Sequence, residues 1–567
     1  MRVPPLLRKT LGSGALLLMV ELTAGLTTGL TTGLTGGCSA GQKDDAPPAA
    51  SVSLPPLTPP IRRVRRLSSR EYNNAVRDLL GDASRPAAHF IKDAYQNGYD
   101  NGSADLAVQS DQVVDYGAAA EALAQAAVQH RLDLLTSGCD VGKSGSTACA
   151  EALLTTFAPR AFRRPLTAAE QQRLRRVFQS ELAAGNDFSR SIQTLLEVIL
   201  QSPQFLYREE LGPLEGPLGG PSPIHLTDYE VASQLSFLLT GSIPDDELWT
   251  QVSEGRFKSS ADYHREAARL LTTPAARDTL RAFLHQWLAT DRTATLSKDS
   301  GFYPDFSTAL AASMGGELDR FYDSVVWDGS GTLRELFTSN KSFVDERLGQ
   351  LYGAPVRGPG FQEVMLDPAL RKGVLGRAGF LAVHAATDSS GPISRGVFLL
   401  QALLCMPPPQ PPANIPPALP AGDPMAQNLT TRQRFEQHVK DPFCASCHKQ
   451  IDGVGFGLEQ FDGIGAFRAT EKGQPVDSSG ALIGTGEIDG AYNGAGELTS
   501  RMAPSRTLSD CYVRNAYRFT MGQIEPTGED LRLLSTAFSS DARLTDVLLT
   551  MIADPLFVSR SFEAATP

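Results

Sequence analysis

The chain has 567 residues, is 41% apolar and 20% charged, and carries a net charge of −11. That composition excludes a disordered chain and leaves room for about three to five domains with ample core. The acidic balance argues against nucleic acid, which calls for a basic face.

The N-terminus reads as an export signal. Arg2, Arg8 and Lys9 form a positive region, and Leu11 to Val20 a short apolar core that Glu21 interrupts. Leu-Thr-Thr-Gly repeats then run to Leu34-Thr-Gly-Gly-Cys38. Small residues before a cysteine are the pattern of a bacterial lipoprotein signal, although Leu34 stands one place further from Cys38 than usual. We expect acylation of Cys38, with plain secretion as the alternative. Either address is oxidising, periplasmic or outer-membrane. No second long apolar run follows, so a lipid at Cys38 would be the membrane contact. Residues 39–60 are rich in Ala, Pro, Ser and Asp and read as a tether.

The body reads as mainly α and multi-helical, in segments 61–136, 137–212, 224–354, 367–470 and 471–562. In the first, Ser68 or Ser69 can cap a helix through Leu80. The preceding Arg62-Arg-Val-Arg-Arg66 reads as its solvated edge. Tyr99-Asp-Asn-Gly breaks the pattern, and a helix over Ser110 to Leu135 follows. In the second, Thr167 and Glu170 form a capping box. Arg163 and Arg164 read as partners of nearby carboxylates, with an anion clasp as the alternative. In the third, Thr227 or Asp228 caps a helix to Leu239. Asp245, Asp246 and Glu247 follow Pro244 and read as first-turn helix acids, with acid–base work as the alternative. Helices are expected near 261–271, 275–288, 307–326 and 344–352. His264 and His285 lie on helical faces with no ligand spacing.

In the fourth segment, Gly373 to His384 reads as a small-residue helix, Val397 to Leu404 as another, and the proline-rich Met406 to Pro424 as extended polyproline II. Next comes Cys444-Ala-Ser-Cys447-His448, the attachment signature of a c-type haem. Two thiols one turn apart can reach two vinyl groups on one porphyrin edge, and the next imidazole can ligate iron. A thioredoxin-type dithiol would need a strand-to-helix junction, and zinc a second ligand pair; neither context is present. The glycines of Asp452-Gly-Val-Gly-Phe-Gly-Leu-Glu-Gln-Phe-Asp462-Gly-Ile-Gly-Ala-Phe-Arg468 suggest irregular backbone pressed against something flat. Phe456, Leu458, Phe461, Ile464 and Phe467 could wall a porphyrin. Asp452, Glu459 and Asp462 could instead hold calcium, without EF-hand spacing. Residues 477–496 read as the one β-rich stretch. Helices close the chain near 508–521, 530–537 and 544–553.

Apart from Cys38 and the motif pair, four cysteines remain. Cys139 and Cys149 flank a Gly/Ser-rich loop and read as a local disulfide. Cys405 and Cys511 would then pair over a long separation, with two buried thiols as the alternative.

The chain resembles a multidomain family of secreted bacterial proteins found in planctomycetes and myxobacteria, built from consecutive domains of unknown function with a cytochrome-like segment. Leu67-Ser-Ser-Arg-Glu-Tyr-Asn-Asn-Ala-Val-Arg-Asp-Leu-Leu-Gly81, Ala161-Phe-Arg-Arg-Pro-Leu-Thr167, Gln234 to Leu248, Phe343-Val-Asp-Glu-Arg-Leu348, Ser394 to Cys405, Cys444 to Arg468 and Cys511 to Gly522 carry it. Thr240 stands where relatives often have Trp, and Gln523 where they often have Arg. The resemblance implies one covalent haem c at Cys444, Cys447 and His448, and no defined reaction.

The expectation is a mono-haem protein with His448 as proximal ligand. Met502, Met521, His438 and His384 are the distal candidates, and an empty site is the alternative. A filled site favours electron transfer with an envelope redox partner; an open one favours peroxidase- or oxidase-like chemistry. A third reading is an interaction scaffold with structural haem. No Ser-His-Asp, P-loop or metalloprotease pattern supports a separate enzyme.

Overall fold

The computed structural model describes residues 60, 63–102, 108–213, 223–410, 428–436, 442–525 and 531–561. Cys38, the 39–59 tether, His438 and most of the proline-rich stretch lie outside them. The architecture is mainly α, joined by short two-stranded ribbons. Among the described residues no helix is long and apolar enough to cross a membrane.

Local signals set the helix starts. Ser68 caps Ser69–Leu80 in a reciprocal box with Glu71, Thr167 caps Ala168–Ala183 with Glu170, and Thr227 caps Asp228–Thr240 with Glu230. Each serves two N–H groups that a helix start leaves without partners. Asp245 caps Asp246–Ser253, and Asp246 and Glu247 occupy its first turn. The acidic trio is therefore a helix start. Thr240 is buried and bonds the Ser236 carbonyl at 2.8 Å.

Among the described residues two large hydrophobic cores, with a smaller one around Leu310, Met314, Val344 and Leu348, organise the helices. One runs from Leu67 to Leu206, with Phe237 and Ile243 added from the following segment. The other takes Tyr99 and residues from Leu226 to Phe557. Both expected disulfides are present, Cys139–Cys149 and Cys405–Cys511. The second ties the helix end near Leu404 to helix Arg506–Met521.

Three expectations change. The β structure extends well beyond 477–496. Arg63–Arg66 pairs antiparallel with Tyr207–Glu210, Ile224–His225 with Ser559–Arg560, and Lys341–Val344 with Gln362–Met365. The first two join segments distant in sequence, and all three are too short to show a period of two. Helix 344–352 correspondingly begins later, at Glu346. The 373–384 stretch is also shorter as a helix, a 3₁₀ turn and then Ala378–Val383.

The third correction concerns the arginine run. It is not a solvated helix edge: it forms a strand in which Arg65 and Arg66 are buried. Ribbon register sets Arg63 opposite Glu210 and Arg65 opposite Arg208, so these four side chains share one face. Glu210 lies 3.3 Å from Arg63 and 4.0 Å from Arg65, 3.8 Å from Arg208 and 2.8 Å from Arg560. Arg208 also meets Glu71 at 3.2 Å. Burial pushes the Glu210 carboxyl up, but the four guanidiniums outweigh it and hold it far below the usual range. Gln523 accepts from Arg63 Nη1 at 2.8 Å.

Candidate cofactor-attachment site

Cys444, Cys447 and His448 lie on one helix, Pro442–Gly455. A spacing of three puts the two cysteines one turn apart on one face, with His448 beside them. The Cys444 side chain is outside the described residues. Cys447 is half-buried and packs against the main core, as do the half-buried Ile393 and Val397 of the neighbouring helix Pro392–Phe398. Neither disulfide uses a motif cysteine.

His448 Nδ1 meets Asp452 Oδ1 at 3.0 Å, one helical turn on. The side chains are 16% and 5% exposed. Asp452 Oδ2 is buried without a hydrogen-bond partner. Burial pushes the Asp452 carboxyl up to about 6, against the downward pull of the His448 hydrogen bond and of Arg432. With Nδ1 committed to the carboxylate, Nε2 is the nitrogen that metal coordination would use.

The irregular backbone that the sequence suggests begins only past the 3₁₀ turn Phe456–Leu458; the first glycines do not form it. The helix continues through Gly453 to Gly455, and protein backbone presses on it. A Cβ at Gly455 would lie 1.9 Å from the Pro392 carbonyl oxygen, and one at Gly396 2.2 Å from that of Ile451. A Cβ at Gly453 would meet the Ala481 oxygen at 2.6 Å, and one at Gly480 the Gly453 oxygen at 2.3 Å. Tyr492 then donates to the Gly453 carbonyl at 2.6 Å. The glycines thus let helix Pro392–Phe398 and strand Ser479–Leu482 approach at backbone distance.

The chain beyond is clamped. Arg395, fully buried, donates to the carbonyls of Leu458, Phe461, Leu381 and Asp462 at 2.8 to 3.0 Å. Glu459 takes Ser390 Oγ at 2.6 Å and pairs with Arg468. Asp462 accepts from the Ile464 and Ala466 amides at 2.9 Å. These carboxylates are spoken for individually, and among the described residues no group of three His, Cys, Asp or Glu could hold a metal ion. The calcium alternative drops out there. Phe456 lies under Arg432 and Phe461 under Arg371, at 4.5 Å each. Both rings are core, and of the five expected wall residues Phe467 is the exposed one, at 39%.

The distal candidates are dispersed. Met502 is fully buried in helix Gly494–Met502. Met521 ends helix Arg506–Met521, and its sulfur accepts from Gln234 Nε2 at 3.8 Å. His384 is buried with Nε2 2.9 Å from the Leu288 carbonyl and Nδ1 3.5 Å from Arg292, its ring 3.7 Å from that of Phe398. Burial pushes it down to about 3, so it stays neutral. His438 is outside the described residues.

Other singled-out residues are structural. Arg163 is buried and donates to the carbonyls of Ala161, Gln204, Phe205 and Tyr207. Arg164 pairs with Glu170 and Glu209. His285 joins Asp319 and Thr290, each at 2.8 Å. Two functions escaped sequence reading: Asp452 as partner of His448, and Arg395 as clamp. The first has a signal, an acid four residues after the motif histidine on a continuing helix. The second has none, because its partners are carbonyls.

Comparison with known proteins finds four consecutive domains. Residues 65–129 match PSD3, a protein of unknown function (DUF1587). Residues 149–210 match PSD5 (DUF1595) and residues 226–354 match PSD4 (DUF1592), both also of unknown function. Residues 371–471, which include the motif, match PSCyt3, a protein of unknown function (DUF1588). No curated protein and no solved structure matches the chain.

Proposed function

We propose that this chain, a planctomycete-type arrangement of four consecutive domains of unknown function including the cytochrome-type PSCyt3 domain, carries one covalent haem c at Cys444, Cys447 and His448. The observation that carries this reading is the motif helix itself. It carries Cys444 and Cys447, neither of which belongs to the Cys139–Cys149 or the Cys405–Cys511 disulfide, and a histidine whose Nδ1 is fixed by Asp452 at 3.0 Å. The donor set suits haem, since two cysteine sulfurs for the vinyl groups and one imidazole Nε2 for the iron are what such attachment uses. The half-buried Ile393, Val397 and Cys447 supply apolar surface beside it. When bound, the group supplies a one-electron iron couple. The protein's part is to orient His448, exclude water with apolar side chains and hold the following turn through Arg395.

The reaction class we favour is electron transfer with an envelope partner, the chain being exported and held by a lipid at Cys38. A second reading, an iron with an open sixth position, draws on one observation. His384 and the Met521 sulfur are already hydrogen-bonded, and Met502 is buried in the core. Expression in a host with haem-maturation machinery, followed by reduced and oxidised spectra with added CO, tests both. A covalent c-type spectrum inert to CO supports electron transfer, and rapid CO binding supports the open site. Cys447→Ala is expected to abolish double thioether attachment. A haem-free protein from that host would refute the proposal.

A further inference from the structure

We infer that Asp452 is the positioning residue of the proximal ligand: its carboxylate holds the His448 ring by Nδ1 and raises the electron donation of Nε2, biasing the site toward ferric iron. This deepens the haem reading and rests on it. An aspartate this enclosed normally bridges distant elements or caps a helix. Asp452 does neither. Its Oδ1 meets His448 Nδ1 on the same helix, at 3.0 Å, while Oδ2 is buried without a partner. A pair one turn apart on one helix adds nothing to tertiary structure, and an orphan oxygen costs stability. The arrangement therefore has no evident structural return.

Its chemical return is direct. A carboxylate accepting the Nδ1 proton selects the tautomer whose Nε2 carries the lone pair a metal would take. It also fixes the ring about χ angles that would otherwise rotate, and lends the imidazole anionic character. For an axial ligand that is one of the levers on iron potential. Charges from the neighbouring Thr431–Phe435 turn modulate it, with Arg432 favouring the carboxylate and Glu436 opposing it.

Asp452→Asn keeps the shape and an acceptor oxygen but removes the charge, and Asp452→Glu restores the charge on a longer arm. In the haem-loaded protein, the Asn variant should shift the ferric/ferrous equilibrium toward ferrous by about tenfold, which is 59 mV for one electron. It should also lower the ferrous Fe–His stretching frequency, with the Glu variant recovering part of both. An unchanged potential and stretch in a haem-loaded Asn variant would overturn the role while leaving the haem reading intact. Should that variant fail to fold or load, imidazole ¹⁵N shifts in haem-free wild-type protein decide. An Nδ1-protonated His448 supports the inference, and an Nε2-protonated one overturns it. A wild-type chain that matures without haem overturns the haem reading, and this role with it.

Discussion

Two regions of the molecule bury charge, and they do so for opposite ends. In the ribbon region, four arginines from three strands converge on Glu210, with Glu71 joining through Arg208. Arg208 sits two residues from Glu210 on its own strand, but the other partners lie up to 350 residues away in sequence, so their contacts close long loops. On the motif helix, His448 and Asp452 are four residues apart, and their contact closes nothing. A buried charge with long-range partners is architecture. A buried charge whose partner sits one turn away orients a side chain. The separation of the partners, more than the depth of burial, distinguishes the two uses.

The sharpest break of that contrast is a pair of isosteric changes. Glu210→Gln leaves four buried guanidiniums without their central anion and should cost about 3–5 kcal/mol by denaturant unfolding. Asp452→Asn should be neutral or slightly stabilising at neutral pH in the haem-free protein, because its carboxyl is already pushed up toward about 6 by burial. Equal losses in the two variants would end the distinction.

Gly455→Ala should cost about 3 kcal/mol, at the top of the overpacking range, because its Cβ would meet a backbone oxygen at 1.9 Å rather than a movable side chain. If haem is attached to this helix, the same change should also lower haem content per chain.

The disulfides repeat the contrast of range. Their sequence separations are 10 for Cys139–Cys149 and 106 for Cys405–Cys511. Loop-closure entropy makes loss of the longer one costlier by about 2 kcal/mol, read as the difference between Cys149→Ser and Cys511→Ser variants, each with its partner also changed.

The smallest effect at neutral pH is that of His384. Burial pushes it down to about 3, while the unfolded chain holds it near its ordinary value of about 6.5. The unfolded state therefore binds the extra proton first, and stability is complete above about pH 6.5 and falls as pH drops toward about 3. His384→Gln should flatten that slope in unfolding midpoints taken at neutral and mildly acidic pH. An unchanged slope would remove His384 from the acid response.

Much of this protein was legible one helical turn at a time. The caps at Ser68, Thr167, Thr227 and Asp245 and the Cys444–Cys447–His448 spacing are all local patterns, since a helix relates residues three and four apart by its own geometry. What tertiary structure alone decided has partners far along the chain. It turned Arg63–Arg66 from a surface edge into a buried strand, because Glu210 and Arg560 arrive from elsewhere. It spent the glycines after the motif on backbone contacts with Pro392 and Ala481. It gave Arg395 four carbonyl partners that leave no mark in composition or spacing. Sequence names the groups that a helix sets side by side, while long-range closure decides which of them meet protein and which are left to meet a ligand.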